Sequence, residues 1–338
     1  MSATDPTTED EVLLVAAEAA SLAPSVHNSQ PWGFTLHGDS LDVFADRSRW
    51  LPATDPTGRE LMISCGAAIC YAALALRGMG RDVRTTLLPD LSNADHLARL
   101  SLGGRRPASY SERALIRALP IRHTDRGRYE DRPVPAALIE ELRRGVAGYG
   151  AWLRSVVTAE DEIETAVLLS RADAIERADP AFVGELAAWS RDDDDSLDGI
   201  PRAAVPSTPV ADRASNYRLR DFDVAGRAAG GDLHRPIVVD SPPSPEHPLV
   251  VVIGTPDDDR RAWLQAGQAL GWLLLRATAD GVSSAPMTQV LELPATRGRL
   301  RSALQLVGHP QMLLRMGYGS GRPTTHRRPM ADVISADR

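Results

Sequence analysis

The sequence predicts an α+β fold with mixed sheets flanked by helices. Helical and strand-like stretches run helix–strands–helix–strands, then, past one more short helix, helix–strand–helix–strand–helix. A strict βαβ alternation does not fit that order. The two runs look alike in outline, which raises an internal duplication. Residues 191–248 interrupt the second run with a Pro- and Asp-rich stretch lacking periodicity; irregular segments of that length in compact domains are lids or binding loops. The 338 residues suit about two domains or one duplicated one, at roughly 100–200 residues per domain.

The elements follow in order. Residues 8–22 read as an amphipathic helix with a Thr8/Glu11 capping box, ended by Pro24. Residues 33–46 read as a hairpin around Gly38-Asp39. Asp55-Pro56 suits the N-cap and first position of a helix running to about Arg77. Val83–Leu88 and Leu97–Leu102 alternate as strands, and 110–118 forms a short helix before Pro120. The second run places a helix at 135–144, a strand at Trp152–Val157 and one or two helices over 159–190. After the irregular stretch come a strand at 249–253, helices at 258–279 and 296–306, a strand at 311–316 and a tail from 323.

Composition narrows the function. The formal charge of −7 argues against nucleic-acid binding, which needs a basic surface to displace counterions. All 38 basic residues are Arg. Without lysine, Schiff-base chemistry and a Walker phosphate loop are excluded, and any phosphate is held by guanidinium forks. Cys65 and Cys70 lie in an apolar helical stretch at no metal or redox spacing, and read as small buried hydrophobes. No apolar run reaches the roughly 18 residues of a membrane helix, and no basic and apolar leader opens the chain. A cytoplasmic protein with no membrane partner is expected.

Four stretches could carry chemistry. Pro24-Ser25-Val26-His27-Asn28-Ser29-Gln30-Pro31 packs hydroxyl, imidazole and amide groups between prolines, fit for a heteroaromatic or ribityl ligand or for an ordinary polar turn. Arg122-His123-Thr124-Asp125-Arg126-Gly127-Arg128, if extended, puts Arg122, Thr124, Arg126 and Arg128 on one side, as a phosphate site or as a solvated surface. Ser283-Ser284-Ala285-Pro286-Met287-Thr288 offers small residues past which a flat ring could lie. Gly317-Tyr318-Gly319-Ser320-Gly321-Arg322 has spaced glycines without a βαβ setting, so it reads as a turn delivering Arg322 to an anion. The eight histidines show no metal spacing, and no serine sits in a hydrolase elbow; neither a metal site nor a catalytic side chain is expected.

Taken together, APSVHNSQPW (23–32), DRSRWLPATDPTGRELMISCGAAI (46–69), RHTDRGRY (122–129), GWLLLRATADGVSSAPM (271–287) and LLRMGYG (313–319) resemble the FMN-dependent nitroreductase family, most closely its Acg-type branch. The resemblance covers about residues 8–325. It implies a nitroreductase-like fold with FMN between two protomer-like units. The halves are residues 1–115 and 116–338, the second carrying the lid insertion and the tail. Ser25 and Asn28 stand in the first half, Arg122, Thr124, Arg126 and Arg322 in the second. The pairing implies a monomeric pseudo-dimer with one complete site. Arg122 and Arg322 would meet phosphate and ribityl, with His123 and Thr124 between the arginines. Arg126 takes the place of the family's basic residue near flavin N1 and O2, where a fixed charge favours the reduced ring. Ser284, Ala285, Pro286 and Met287 match the loop past the ring edge. The implied activity is NAD(P)H-dependent reduction of nitroaromatics or quinones. The alternative is a protein that sequesters flavin beneath the 191–248 lid.

Overall fold

Two sheets repeat one topology. The computed structural model describes residues 8–205, 217, 220, 222, 246, 248–319 and 325–335. The first half comprises α1 (Glu9–Ser21), β1 (Trp32–His37), β2 (Ser40–Ala45), α2 (Arg59–Gly78), β3 (Arg81–Leu87), β4 (His96–Arg105) and α3 (Tyr110–Ala118). The second opens with α4 (Ala136–Ala147), β5 (Trp152–Val156), α5 (Ala159–Ala178), α6 (Pro180–Trp189) and the two-residue strands β6 (Ser190–Arg191) and β7 (Ile200–Pro201). It continues with β8 (Leu249–Thr255), α7 (Arg260–Ala279), β9 (Ser283–Pro286), α8 (Gln289–Glu292), α9 (Pro294–Ala303), β10 (His309–Gly317), α10 (Met330–Val333) and β11 (Ile334–Ser335).

The first sheet runs β1-β2-β4-β3 and the second β5-β8-β10-β9, with every neighbour in each run antiparallel. A long helix, α2 or α7, joins the second and third strands of each. Gly66 and Gly80 are matched by Gly267 and Gly281 at one constant spacing, and Gly80 and Gly281 share φ 75°. The duplication suspected from element order is therefore a repeat of topology. β11 adds to the first sheet in parallel with β1, so the last residues, expected as a tail, clasp the other half.

The helices meet where their side chains vanish. A Cβ on Gly66 would stand 2.3 Å from the Leu264 carbonyl oxygen, and one on Gly267 2.1 Å from that of Ile63. Backbone lies on backbone at this crossing. α2 is long and apolar enough to span a membrane, but it is buried within the fold. Both cysteines lie on it, free and buried as expected.

The sheets differ in cover. β3 alternates buried and exposed residues, whereas β8 and β10 are buried almost throughout. The second sheet has α4 and α7 on one face and α5, α8 and α9 on the other, which is why its strands read as unbroken apolar runs.

The Thr8/Glu11 capping box forms. α2 begins at Arg59, later than Asp55-Pro56 suggested, with Gly58 at φ 74° as N-cap. Asp55 still serves it, accepting the Leu61 N–H through Oδ2 at 2.9 Å. β9 lies where the sequence suggested only a loop, and α8 follows it at Gln289–Glu292.

Candidate functional site

A narrow cleft opens between the halves. The loop after α1 gives it Ser25 and His27, and α2 gives Glu60, Ile63 and Ser64. Thr124 and Arg126 form another wall; Ser284 and Pro286 from β9 face them.

The loop is held in a costly conformation. His27, Asn28 and Gln30 have φ of 47°, 54° and 51°, each in the left-handed region that non-glycine residues avoid at a cost of about 1 kcal/mol or more. Several bonds compensate. Ser25 Oγ accepts the Gln30 N–H at 2.9 Å, and Ser64 Oγ accepts that of Val26 at 3.1 Å. Gln30 Nε2 donates to the Leu197 carbonyl at 2.8 Å, and Arg328 N–H to Gln30 Oε1 at 2.8 Å. Arg49 donates to the Ser29 carbonyl and pairs with Asp198. The start of the insertion and the C-terminal segment thus both grip this loop. Part of the DRSRW–SCGAAI stretch reads as support: Glu185 of α6 accepts the Ala53 and Thr54 N–H groups at 3.0 and 2.8 Å.

The 122–129 segment is strand-like only at isolated bridges, Thr124 and Tyr129, with a bend at Gly127 between them, and Arg122 and Arg128 do not line the cleft with Thr124 and Arg126. Thr124 bridges Ser284 in parallel, with the Asp125 N–H on the Ser284 carbonyl at 3.0 Å. Arg315 of β10 anchors its far end, donating to the Gly127 carbonyl at 2.6 Å, pairing with Glu246 and lying 4.4 Å over the Tyr129 ring.

The expected residues fall into two zones. Ser25, Thr124, Arg126, Ser284 and Pro286 line the cleft. Arg126 is half-buried, with its guanidinium 4.7 Å over the Phe222 ring; burial, Arg220 and Arg315 pull its pKa down to about 10. Ala285 and Met287 do not line the cleft. Strand alternation turns their side chains into the core, where each is 1% exposed.

Arg122, His123 and Asn28 lie in the second zone, against residues 325–328. Asn28 Nδ2 donates to the His326 carbonyl at 3.3 Å, and His123 Nδ1 accepts the Thr325 N–H at 3.4 Å. Arg122 is buried and shares the Leu22 carbonyl with Arg327, each at 3.4 Å. Among the described residues neither Nε–H has a partner, and no carboxylate pairs with either guanidinium. The Tyr71 hydroxyl is buried beside them without a hydrogen bond of normal geometry. Burial, then the charge of Arg122, lowers the Arg327 pKa to about 9. A buried cation, Arg122, and a half-buried one, Arg327, each with an unpaired Nε–H among the described residues, could together receive a dianion such as a phosphate monoester. Arg322 lies outside the described residues; Arg327, in the supposed tail, is the late arginine beside Arg122.

The insertion reaches the cleft. Of residues 191–248, the described ones beyond Val205 are Tyr217, Arg220, Phe222, Glu246 and Pro248. Arg220 and Phe222 line the cleft. Arg220 donates to Glu292 Oε2 at 2.6 Å and Glu176 at 3.3 Å, and its Nη1 lies 3.1 Å from His27 Nε2. Burial, then Glu292, pushes the Glu60 pKa up to about 8, and burial pushes that of Glu176 to about 10.

No family model matches the chain. It is 34% identical over 331 residues to a Mycobacterium tuberculosis protein provisionally named NAD(P)H nitroreductase Rv3131, covering 96% of this chain and 91% of that one. It is 28% identical over 333 residues to the Acg protein of the same organism, which carries the same provisional designation, covering 96% and 95%. Among solved structures, the FMN-dependent nitroreductase NfnB of Mycobacterium smegmatis, in complex with NADPH, aligns at TM-score 0.38 and 16% identity over 67% of this chain and 99% of its own. The assignment rests on the first of these relatives and its near-complete coverage: the chain belongs to the NAD(P)H nitroreductase family, alongside Acg.

Proposed function

We propose that the protein binds one FMN per chain across its two halves and acts as an NAD(P)H-dependent reductase of nitroaromatic or quinone substrates. The observation that carries this is the pairing of buried Arg122 with half-buried Arg327, with no carboxylate among the described residues on either, at one end of the segment that leads to Thr124 and Arg126 in the cleft. Arg122, Arg327 and the Tyr71 hydroxyl would hold the phosphate. Ser25, Thr124 and Ser284 would offer hydroxyls to the ribityl and ring, and Arg126 a fixed positive charge. FMN, held there, would supply the redox chemistry that links NAD(P)H to the substrate. This chain's residues hold it, set its charge environment and exclude water.

Residues 1–115 and 116–338 would then correspond to the two protomers of a family dimer, and the chain would work as a monomer.

One observation favours a second reading, flavin sequestration. Phe222 and Arg220, both from the insertion, stand in the cleft wall. An anaerobic visible spectrum before and after NADPH separates the two. Bleaching by NADPH supports the reductase. A flavin spectrum that ignores NADPH but bleaches with dithionite supports sequestration. A colourless protein that cannot be reconstituted with FMN overturns both.

A further inference from the structure

The His27 imidazole walls the cleft yet is only 7% exposed. Its Nε2 lies 3.1 Å from Arg220 Nη1. A guanidinium can only donate, so Nε2 accepts, and a neutral ring then carries its hydrogen on Nδ1. Burial, then Arg220 and then Arg126, hold the imidazole well below its ordinary pKa and therefore neutral. Nδ1 is buried and has no hydrogen-bond partner among the described residues. A buried donor without an acceptor is costly, and here the chain spends left-handed backbone at His27 and Asn28 to hold it.

The lock on the tautomer is itself locked. Arg220 is fixed by Glu292 of α8 and Glu176 of α5, with its guanidinium 5.2 Å over the Phe182 ring. A residue of the insertion, pinned to the second half, thereby sets the protonation pattern of a first-half side chain. Ser25, Thr124, Arg126 and Ser284, among the polar residues lining the cleft, also have hydrogens to give. A ligand suited to these walls brings acceptors, as a conjugated heterocycle with ring nitrogens and carbonyls does.

We propose that His27 is a fixed-tautomer hydrogen-bond donor to the heteroaromatic ligand of the cleft, with Arg220 as the positioning residue that sets the tautomer. This rests on the reading that the cleft takes FMN. The test is long-range 15N–1H correlation on the full chain carrying 15N-labelled histidine, without and with FMN, using His27→Gln to assign the resonances. The expected result is one neutral tautomer protonated at Nδ1, an Nδ1 resonance that moves on adding FMN, and a mixture of tautomers in Arg220→Met. His27→Gln should also weaken FMN binding about five- to tenfold by flavin fluorescence. An Nε2-protonated ring, or an Nδ1 resonance unmoved while absorbance shows FMN bound, overturns the inference and leaves the FMN reading standing. Wild-type protein that binds no FMN overturns the reading, and the inference with it.

Discussion

Replacing Gly66 with alanine sets two opposing effects against each other. Helix propensity alone favours the change by about 1 kcal/mol. At the α2–α7 crossing the new methyl would stand 2.3 Å from the Leu264 carbonyl oxygen and 2.9 Å from Gly267 Cα. Both neighbours are backbone, so no rotamer change relieves the clash; the helices must separate by about an ångström. Overpacking a well-filled core costs about 1–3 kcal/mol, and a backbone contact belongs at the upper end. The net expectation is a loss of about 2 kcal/mol, or roughly 3 °C in Tm for a chain of this size. Gly298 supplies the control. It lies within α9, and a Cβ there meets nothing within 4 Å, so Gly298→Ala should raise Tm slightly. Ile63 and Ser64 of α2 and Leu270 and Leu274 of α7 line the cleft, so Gly66→Ala should also weaken FMN binding. Thermal unfolding of the two variants decides the matter. A Gly66→Ala protein as stable as Gly298→Ala would refute the claim that the crossing is closed by backbone.

Other outcomes follow from the same geometry. Arg122→Ala and Arg327→Ala should each lower FMN affinity at least tenfold, since charge-assisted bonds are worth about 1.5–3 kcal/mol; equilibrium dialysis that finds unchanged affinity in both removes the phosphate assignment. Glu60 has a folded-state pKa of about 8, above the ordinary carboxylate value, because of burial and Glu292. The folded state therefore keeps a proton that the unfolded chain gives up, and stability falls as pH rises from about 4.5 to 8, at up to roughly 1.4 kcal/mol per pH unit. Glu60→Gln should flatten that limb of a urea-denaturation series; an unchanged slope speaks against a protonated Glu60. Asp42 has the opposite sign: burial raises its pKa, but Arg99 and His96 outweigh it and hold it below normal. Its contribution is present above about pH 4 and is lost as pH falls through the depressed value, so Asp42→Asn should destabilise the protein at pH 7 and less so at pH 3. Phe222→Ala should speed bleaching of bound flavin by NADPH if the insertion limits access, and leave the rate unchanged if it does not.

Most of the fold was legible because its signals are local. The capping box at Thr8 and the turn at Gly38-Asp39 each act within a few residues. The alternation of Arg122, Thr124 and Arg126 also announced itself, but it did not reveal that Arg122 and Arg126 serve different zones. What was missed is non-local. β9 is four residues long and exists because β10 and the Thr124 bridge flank it. Arg327 sits in a polar run with no periodicity, and only its fold-back onto Leu22 makes it Arg122's partner. Arg220 and Phe222 carry no motif; three buried carboxylates, Glu60, Glu176 and Glu292, scattered along the chain, are what give Arg220 its place. Ala285 and Met287 were assigned to the ring edge with their neighbours, and strand alternation divides that set.

The most direct test of one flavin site per chain is flavin stoichiometry measured together with mass, by analytical ultracentrifugation of the reconstituted protein at the flavin and protein wavelengths. The account predicts one FMN travelling with a single 36.5 kDa chain. Two FMN per chain, or FMN carried only by a dimer, would contradict it.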